Sequence, residues 1–426
     1  MADYGMNDSR STRRVVITGM GVVAPNGSDL PTFWDSIVGG ISAGAPVTRF
    51  DVKNVPTKVA CEIKDFDPKR YMDFKKARRV DLSIQYGISA SVMAVRDAGI
   101  DLQKLDADRV GVIEGTSVSG MESSFKGQTV YLSKGYSAMS PFALINAYCG
   151  GGSGEIALEL GIKGHAVSYS SSSASGNDAI GYALNMIQDD EADVMIAGGT
   201  EAPLLAPLWG VFCLTKVMTT RNDAPREAMR PFDMHRDGFI LGEGAGFMVV
   251  EELSHALARR AKIYCEVVGH GRSCEAYHSV APHPEGLGMR RAMEKALRKA
   301  RMHASEVNYI NVHGTATSTN EAVEVLAIKK LFNGAAGKVA ISGTKPVTGH
   351  LMGAAGAIET IVCALVIKNQ KIPFTLNLSQ PAEGCDGVDL VTGHSRPYPV
   401  RVAMNLNCGF GGKNSCLILR EYPGAT

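Results

Sequence analysis

The 426-residue chain carries no CxxC pair, no apolar run long enough to span a membrane, and almost no net charge. Its nine cysteines are scattered from Cys61 to Cys416 without a pairing pattern, which excludes a disulfide-stapled fold and a zinc ribbon and points to reduced thiols of an intracellular protein. Lysine and arginine number 44 against 43 acidic residues, so no broad surface for nucleic acid or anionic membrane is expected, and an acidic partner must be met by a local patch. There is no signal-peptide pattern, and a cytoplasmic location is expected. Residues 1–13 are polar and Arg-containing and are expected to form a disordered tail. No HxH or HxxxH spacing occurs near the candidate loops, so neither a metal nor a bound cofactor is expected. No Pro/Ser-rich linker divides the chain. A further absence matters most: no cysteine lies between Cys149 and Cys213.

What is present is a steady alternation of buried strand and amphipathic helix. Val15 to Gly19 is β-branched and ends in glycine, Arg79 to Ala98 has helical spacing, and Val110 to Glu114 is again strand-like. The rhythm restarts near Ala261, where AKIYCEVVGHG is strand-like and Leu287 to Met302 is a basic amphipathic helix. Two α/β halves, 14–260 and 261–426, are therefore expected to pack face to face as one unit, with strands buried on both sides.

The chain is organised around GHAVSYSSSSASGNDAIG, from Gly164 to Gly181, where a small-residue strand turns into a helix. A side chain at that corner sits beside unpaired backbone N–H groups at the positive end of the helix dipole, a place suited to a nucleophile or an oxyanion. Serine also caps helices well, so the corner alone leaves structure and chemistry both open. Three further loops follow apolar strands: NVHGTAT from Asn311, GTKPVTGH from Gly343, and NCGFGG from Asn407. Imidazoles at His313 and His350, converging on one carbonyl oxygen, would each donate an N–H to an enolate forming there. Lys345 and Glu324 are placed to fix protonation and orientation, or to form a mere surface ion pair. Thr315 and Thr317 supply hydroxyls for an amide-rich arm, or make local turns.

GMGVVAPNG, RPFDMHRDGFILGEGAG, VHGTAT, GTKPVTGHLMGAAG and NCGFGGKN, in this order, resemble the β-ketoacyl-acyl-carrier-protein synthases, the condensing enzymes of fatty acid and polyketide assembly. The resemblance spans residues 14 to 422. It implies a thiolase fold, a five-layered αβαβα body from two duplicated halves, a homodimer, and substrates carried on the phosphopantetheine of an acyl carrier protein. It places the catalytic histidines at His313 and His350, the lysine at Lys345, the glutamate at Glu324, pantetheine contacts at Thr315 and Thr317, and the gating aromatic at Phe410. The nucleophilic cysteine of the family falls on Ser173.

An alcohol is far less acidic than a thiol and needs an adjacent base to attack a thioester. Keeping the histidines while losing the thiol implies a malonyl-carrier decarboxylase, resembling the serine-bearing ketosynthases of polyketide β-branching cassettes, with an HMG-CoA-synthase-like enzyme as the downstream partner. Three alternatives stand beside it: an elongating synthase bearing an engineered Cys-to-Ser change, an acyltransferase using Ser173 with a histidine base, and a non-catalytic partner subunit. The basic helix from Arg290 to His303 is a candidate docking face for an acidic carrier, or simply a solvated surface.

Overall fold

A computed structural model describes residues 13–424. Of the expected tail, residues 1–12 lie outside the described residues, while Arg13 pairs with Asp190 at 2.7 Å and with Asp193.

The first half contributes β1 (Val15–Val23), α1 (Leu82–Ala98), β2 (Val110–Gly115), α2 (Gly151–Leu160), β3 (Ala166–Tyr169), α3 (Ser175–Gln188), β4 (Val194–Glu201) and β5 (Gly244–Glu252). The second contributes β6 (Cys265–Cys274), α4 (Leu287–Ala300), β7 (Tyr309–Asn311), α5 (Asn320–Phe332), β8 (Ala340–Ser342), α6 (Ala355–Asn369), β9 (Asp389–Leu390), β10 (Val402–Gly409) and β11 (Lys413–Arg420). The strands lie in the order β9-β8-β7-β10-β11-β6-β1-β5-β4-β2-β3. In the first half the strands, taken in chain order, are arranged third, second, fourth, fifth, first, with two parallel pairings followed by two antiparallel ones; the second half repeats this order once the two-residue β9, added parallel at its outer edge, is set aside. The halves are joined where Val16 and Ile17 of β1 pair with Glu266 and Cys265 of β6. Duplication thus shows in the topology itself.

Three apolar clusters give five layers. Ile84 and Ile88 of α1 pack with Ile156 of α2 on the outer face of the first sheet. Met293 and Leu297 of α4 pack with Val325 and Ile328 of α5 on the outer face of the second. Between the sheets, Ile180 and Leu184 of α3 and Ile358 and Ile361 of α6 share one core with strands from both halves. The two central helices come close because Gly176 has no Cβ, and one placed there would lie 2.5 Å from the Ala357 backbone nitrogen. Residues Met352–Asn369 form the one helical stretch among the described residues long and apolar enough to cross a membrane, and 89% of it is buried between the two sheets.

The serine stretch departs from expectation in one respect. The alternation of Val167 and Tyr169 with small neighbours reads as a buried strand, yet β3 is an edge strand, exposed at Ala166 and half-buried beyond it. It has only β2 beside it, so one row of backbone groups faces outward.

Candidate active site

The turn from β3 into α3 is tight. Ser172 takes a left-handed φ of 57°, and the helix begins at Ser175. Ser175 Oγ accepts from the Ser171 amide at 2.9 Å and lies against the carbonyl oxygens of Ser172 and Thr116, so this serine holds the turn. Ser173 is different. It is 5% exposed, and its Oγ lies 3.0 Å from Nε2 of His350. The serine corner thereby divides into a structural serine and one that faces a histidine.

His313 follows β7 and is fastened through its backbone. Its amide donates to Glu324 at 2.6 Å and the Gly314 amide donates to the same carboxylate at 3.0 Å. Burial pushes the Glu324 carboxyl up to about 7. The next loop residues are held by Glu321, which accepts from the Ala316 amide at 2.6 Å and pairs with Arg236 at 3.2 Å. Thr315 and Thr317 stand with their hydroxyls 3.3 Å apart on the wall of a cleft that also contains Ser173, His313, His350 and Phe410. His350 is pinned by its amide to the Ile240 carbonyl at 2.7 Å and stacks edge-on against Phe239. The two imidazole centroids are 5.6 Å apart and nearly perpendicular. Burial, reinforced by the Lys345 ammonium, holds both rings well below the usual histidine value, so they are neutral near pH 7.

Lys345 corrects the sequence expectation. Its carboxylate partner is Glu359 on α6 at 2.6 Å, not Glu324, and its second hydrogen bond goes to the His313 carbonyl at 2.5 Å. Lys345 is 1% exposed, so this is no surface pair. Two participants carried no assigned role in the sequence reading. Glu359 is a lone acid in an otherwise apolar helix, and Asn407, which contacts both Glu359 and His313, opens the NCGFGG loop. A lone acid within the otherwise uncharged run AGAIETIVCALVI was the available signal for the former.

Phe410 sits between β10 and β11, half-buried against an apolar cluster. The loop presses on the serine turn, and a Cβ on Gly409 would lie 2.7 Å from the Ser171 carbonyl oxygen. Cys408 also borders the cleft, but burial raises its thiol well above the ordinary range, which removes it as a thiolate nucleophile. The neutral imidazoles and the buried hydroxyl that line the cleft can bind a thioester carbonyl and stabilise charge developing on its oxygen, with the Lys345 ammonium held behind them on the His313 carbonyl.

Comparison with known proteins agrees with this geometry. Residues 12–256 match the family model of the β-ketoacyl synthase N-terminal domain, and residues 264–379 that of the C-terminal domain. A 3-oxoacyl-[acyl-carrier-protein] synthase 2 of Coxiella burnetii is 42% identical over 407 residues, covering 96% of this chain and 98% of the relative. The ishigamide ketosynthase/chain length factor superposes with a TM-score of 0.90 at 33% identity, over 96% of this chain and 100% of its own. A type II polyketide acyl-carrier protein in complex with its ketosynthase gives 0.88 at 29% identity, over 96% and 100%. These names describe condensing enzymes, and the decarboxylative β-branching subtype rests on Ser173 alone. The fold is the thiolase fold, and the chain belongs to the β-ketoacyl synthase family.

Proposed function

We propose that the chain acts on a malonyl thioester carried by an acyl carrier protein and converts it to the acetyl thioester. The phosphopantetheine arm passes Thr315 and Thr317, with Phe410 as the gate, and brings the thioester carbonyl to the imidazole pair. The bond from Cα to the carboxylate breaks, carbon dioxide leaves, and the electron pair passes into a thioester enolate stabilised by an imidazole N–H. Uptake of one proton from solvent at Cα gives acetyl on the carrier. No other cofactor takes part. The observation that carries this reading is Ser173, a hydroxyl where a thiol would accept a chain, beside a histidine pair and a buried lysine that are intact.

The relatives' names favour a second reading. In it Ser173 Oγ, 3.0 Å from His350 Nε2, accepts an acyl chain and the enolate attacks that ester, as an elongating synthase would do with a thioester. The two readings share the decarboxylation and differ in the fate of the enolate. In the first, the acetyl carrier feeds an HMG-CoA-synthase-like partner of a β-branching cassette. The chain would work as a homodimer joined through the open edge of β3, where the row of unpaired backbone groups invites a second strand. A paired, non-catalytic subunit of the chain-length-factor kind has no need of His313, His350 and Lys345.

Incubating the pure chain with malonyl carrier and weighing both proteins tests the proposal. Loss of carbon dioxide with no acyl group on the enzyme supports it, and persists in Ser173→Ala. An acyl-Ser173 adduct with an elongated product supports the second reading, and an unchanged malonyl carrier overturns both. Full activity in His313→Ala and His350→Ala would also remove the assignment of the imidazole pair.

A further inference from the structure

Behind His313 lies a line of buried amides that the reaction above does not use. Asn177 on α3 and Asn405 and Asn407 on β10 are all fully buried. The polarity of the line is set at its far end by groups that only accept. Asn405 Nδ2 donates to the Gly356 carbonyl at 2.8 Å and to Asn177 Oδ1 at 2.9 Å, while Asn177 Nδ2 donates to the Asn405 and Ser415 carbonyls at 3.2 and 3.4 Å. A backbone carbonyl has no hydrogen to give, so neither amide can be turned over without placing lone pair against lone pair. Asn405 Oδ1 therefore faces Asn407, whose Nδ2 donates to it at 3.1 Å and to Glu359 Oε2 at 2.9 Å. Only Asn407 Oδ1 remains for His313, and it lies 3.4 Å from Nδ1.

An amide oxygen accepts, so the proton of the neutral His313 ring belongs on Nδ1. The contact is long, but no other ring nitrogen or donor competes for that oxygen among the described hydrogen bonds. We propose that Asn407 is a positioning residue that holds His313 as the Nδ1–H tautomer, leaving a lone pair on the Nε2 atom of the ring that borders the cleft. The two imidazoles are then not equivalent. His313 presents an acceptor in the resting site and donates only after taking up a proton, whereas no amide of this line reaches His350. The sequence reading has both rings donate, and the inferred tautomer has His313 accept first. The tautomer stands on the hydrogen-bond network alone, and its role in turnover rests on the function proposed above.

The test is nitrogen NMR of the full chain labelled with ¹⁵N in histidine rings, with the His313 signals identified by their loss in His313→Gln. A protonated Nδ1 and a bare Nε2 are expected, in the absence of any substrate. Asn407→Leu should release the tautomer to a mixture and lower kcat by about 100-fold, the scale of one acid–base contact, with KM little changed. Asn407→Asp combined with Glu359→Gln, so that the new carboxylate faces an amide donor in place of a second carboxylate, should keep the Nδ1–H form and raise the pH at which the ring protonates relative to Glu359→Gln alone. A bare Nδ1 in the parent protein overturns the proposal, as does an Asn407→Leu protein that folds with an unaltered tautomer. Should Asn407→Leu fail to fold, the parent spectrum alone decides the tautomer, and Asn407→Asp with Glu359→Gln decides its cause: a ring that protonates at the same pH as in Glu359→Gln alone overturns Asn407's part. Because no malonyl carrier is present, failure here is separate from failure of the decarboxylase reading.

Discussion

Replacing Lys345 by methionine removes one charge from the most enclosed ion pair near the cleft. The ammonium donates to Glu359 at 2.6 Å and to the His313 carbonyl at 2.5 Å, with both side chains at most 3% exposed. After the change, Glu359 keeps one hydrogen bond from Asn407 Nδ2 and has no cation. Removing one member of a buried pair typically costs about 3–5 kcal/mol, because the survivor stays desolvated and unpaired. Replacing both members by neutral groups of similar shape costs far less, so Lys345→Met combined with Glu359→Gln should lie within about 1–2 kcal/mol of the parent. Guanidinium unfolding of the parent, both single variants and the double variant gives the cycle directly. A Lys345→Met protein within about 1 kcal/mol of the parent would refute the reasoning, as would a double variant as unstable as the two single losses added together. The same substitution carries a second signature. Lys345 is a secondary cause, after burial, of the depressed histidines, so in its absence the acid limb of the activity profile should move upward without reaching the ordinary histidine value.

The linkage of His350 to stability has a definite sign. Its folded value is depressed, so its contribution is fully present above about pH 6.5 and is lost as pH falls toward the folded value. The stability gap between the parent and His350→Gln should therefore shrink by about 1.4 kcal/mol per pH unit below 6.5, and parallel stabilities across that range would contradict it. Comparing the two proteins cancels Glu324, whose carboxyl, raised to about 7, works in the opposite direction between pH 4.5 and 7. Gly409→Ala should lift the Phe410 loop off the serine turn and lower activity while the circular dichroism is kept, since its Cβ would meet the Ser171 carbonyl at 2.7 Å. An active Gly409→Ala enzyme would show that the loop yields. Arg298 and Lys299 lie near the end of α4, about 14 Å along the helix from Met289 on the cleft wall. Reversing both charges should weaken carrier binding at least about tenfold at low salt, and unchanged affinity would move docking elsewhere.

Much of this protein is legible in its residue order because the relevant physics is local. Apolar runs such as Met248-Val249-Val250 mark strands that a sheet buries on both faces, and the spacing of Ala179, Ile180, Ala183 and Leu184 marks the helix after the serine turn. The histidine loops, the lysine and the missing thiol at Ser173 are equally local, which is why the family is readable without coordinates. Three things were decided only by packing. β3 became an edge because nothing in a four-residue strand specifies how many neighbours it acquires. Lys345 chose Glu359 over Glu324 because α6 runs between the two sheets and brings a residue fourteen positions further on beneath the His313 loop. Asn407 reached His313, 94 positions away in the chain, only because β10 pairs beside β7. Residue types announce which groups have chemistry to offer, but polarity and protonation depend on which acceptors surround each group, and those partners come from distant segments through the topology of the sheets.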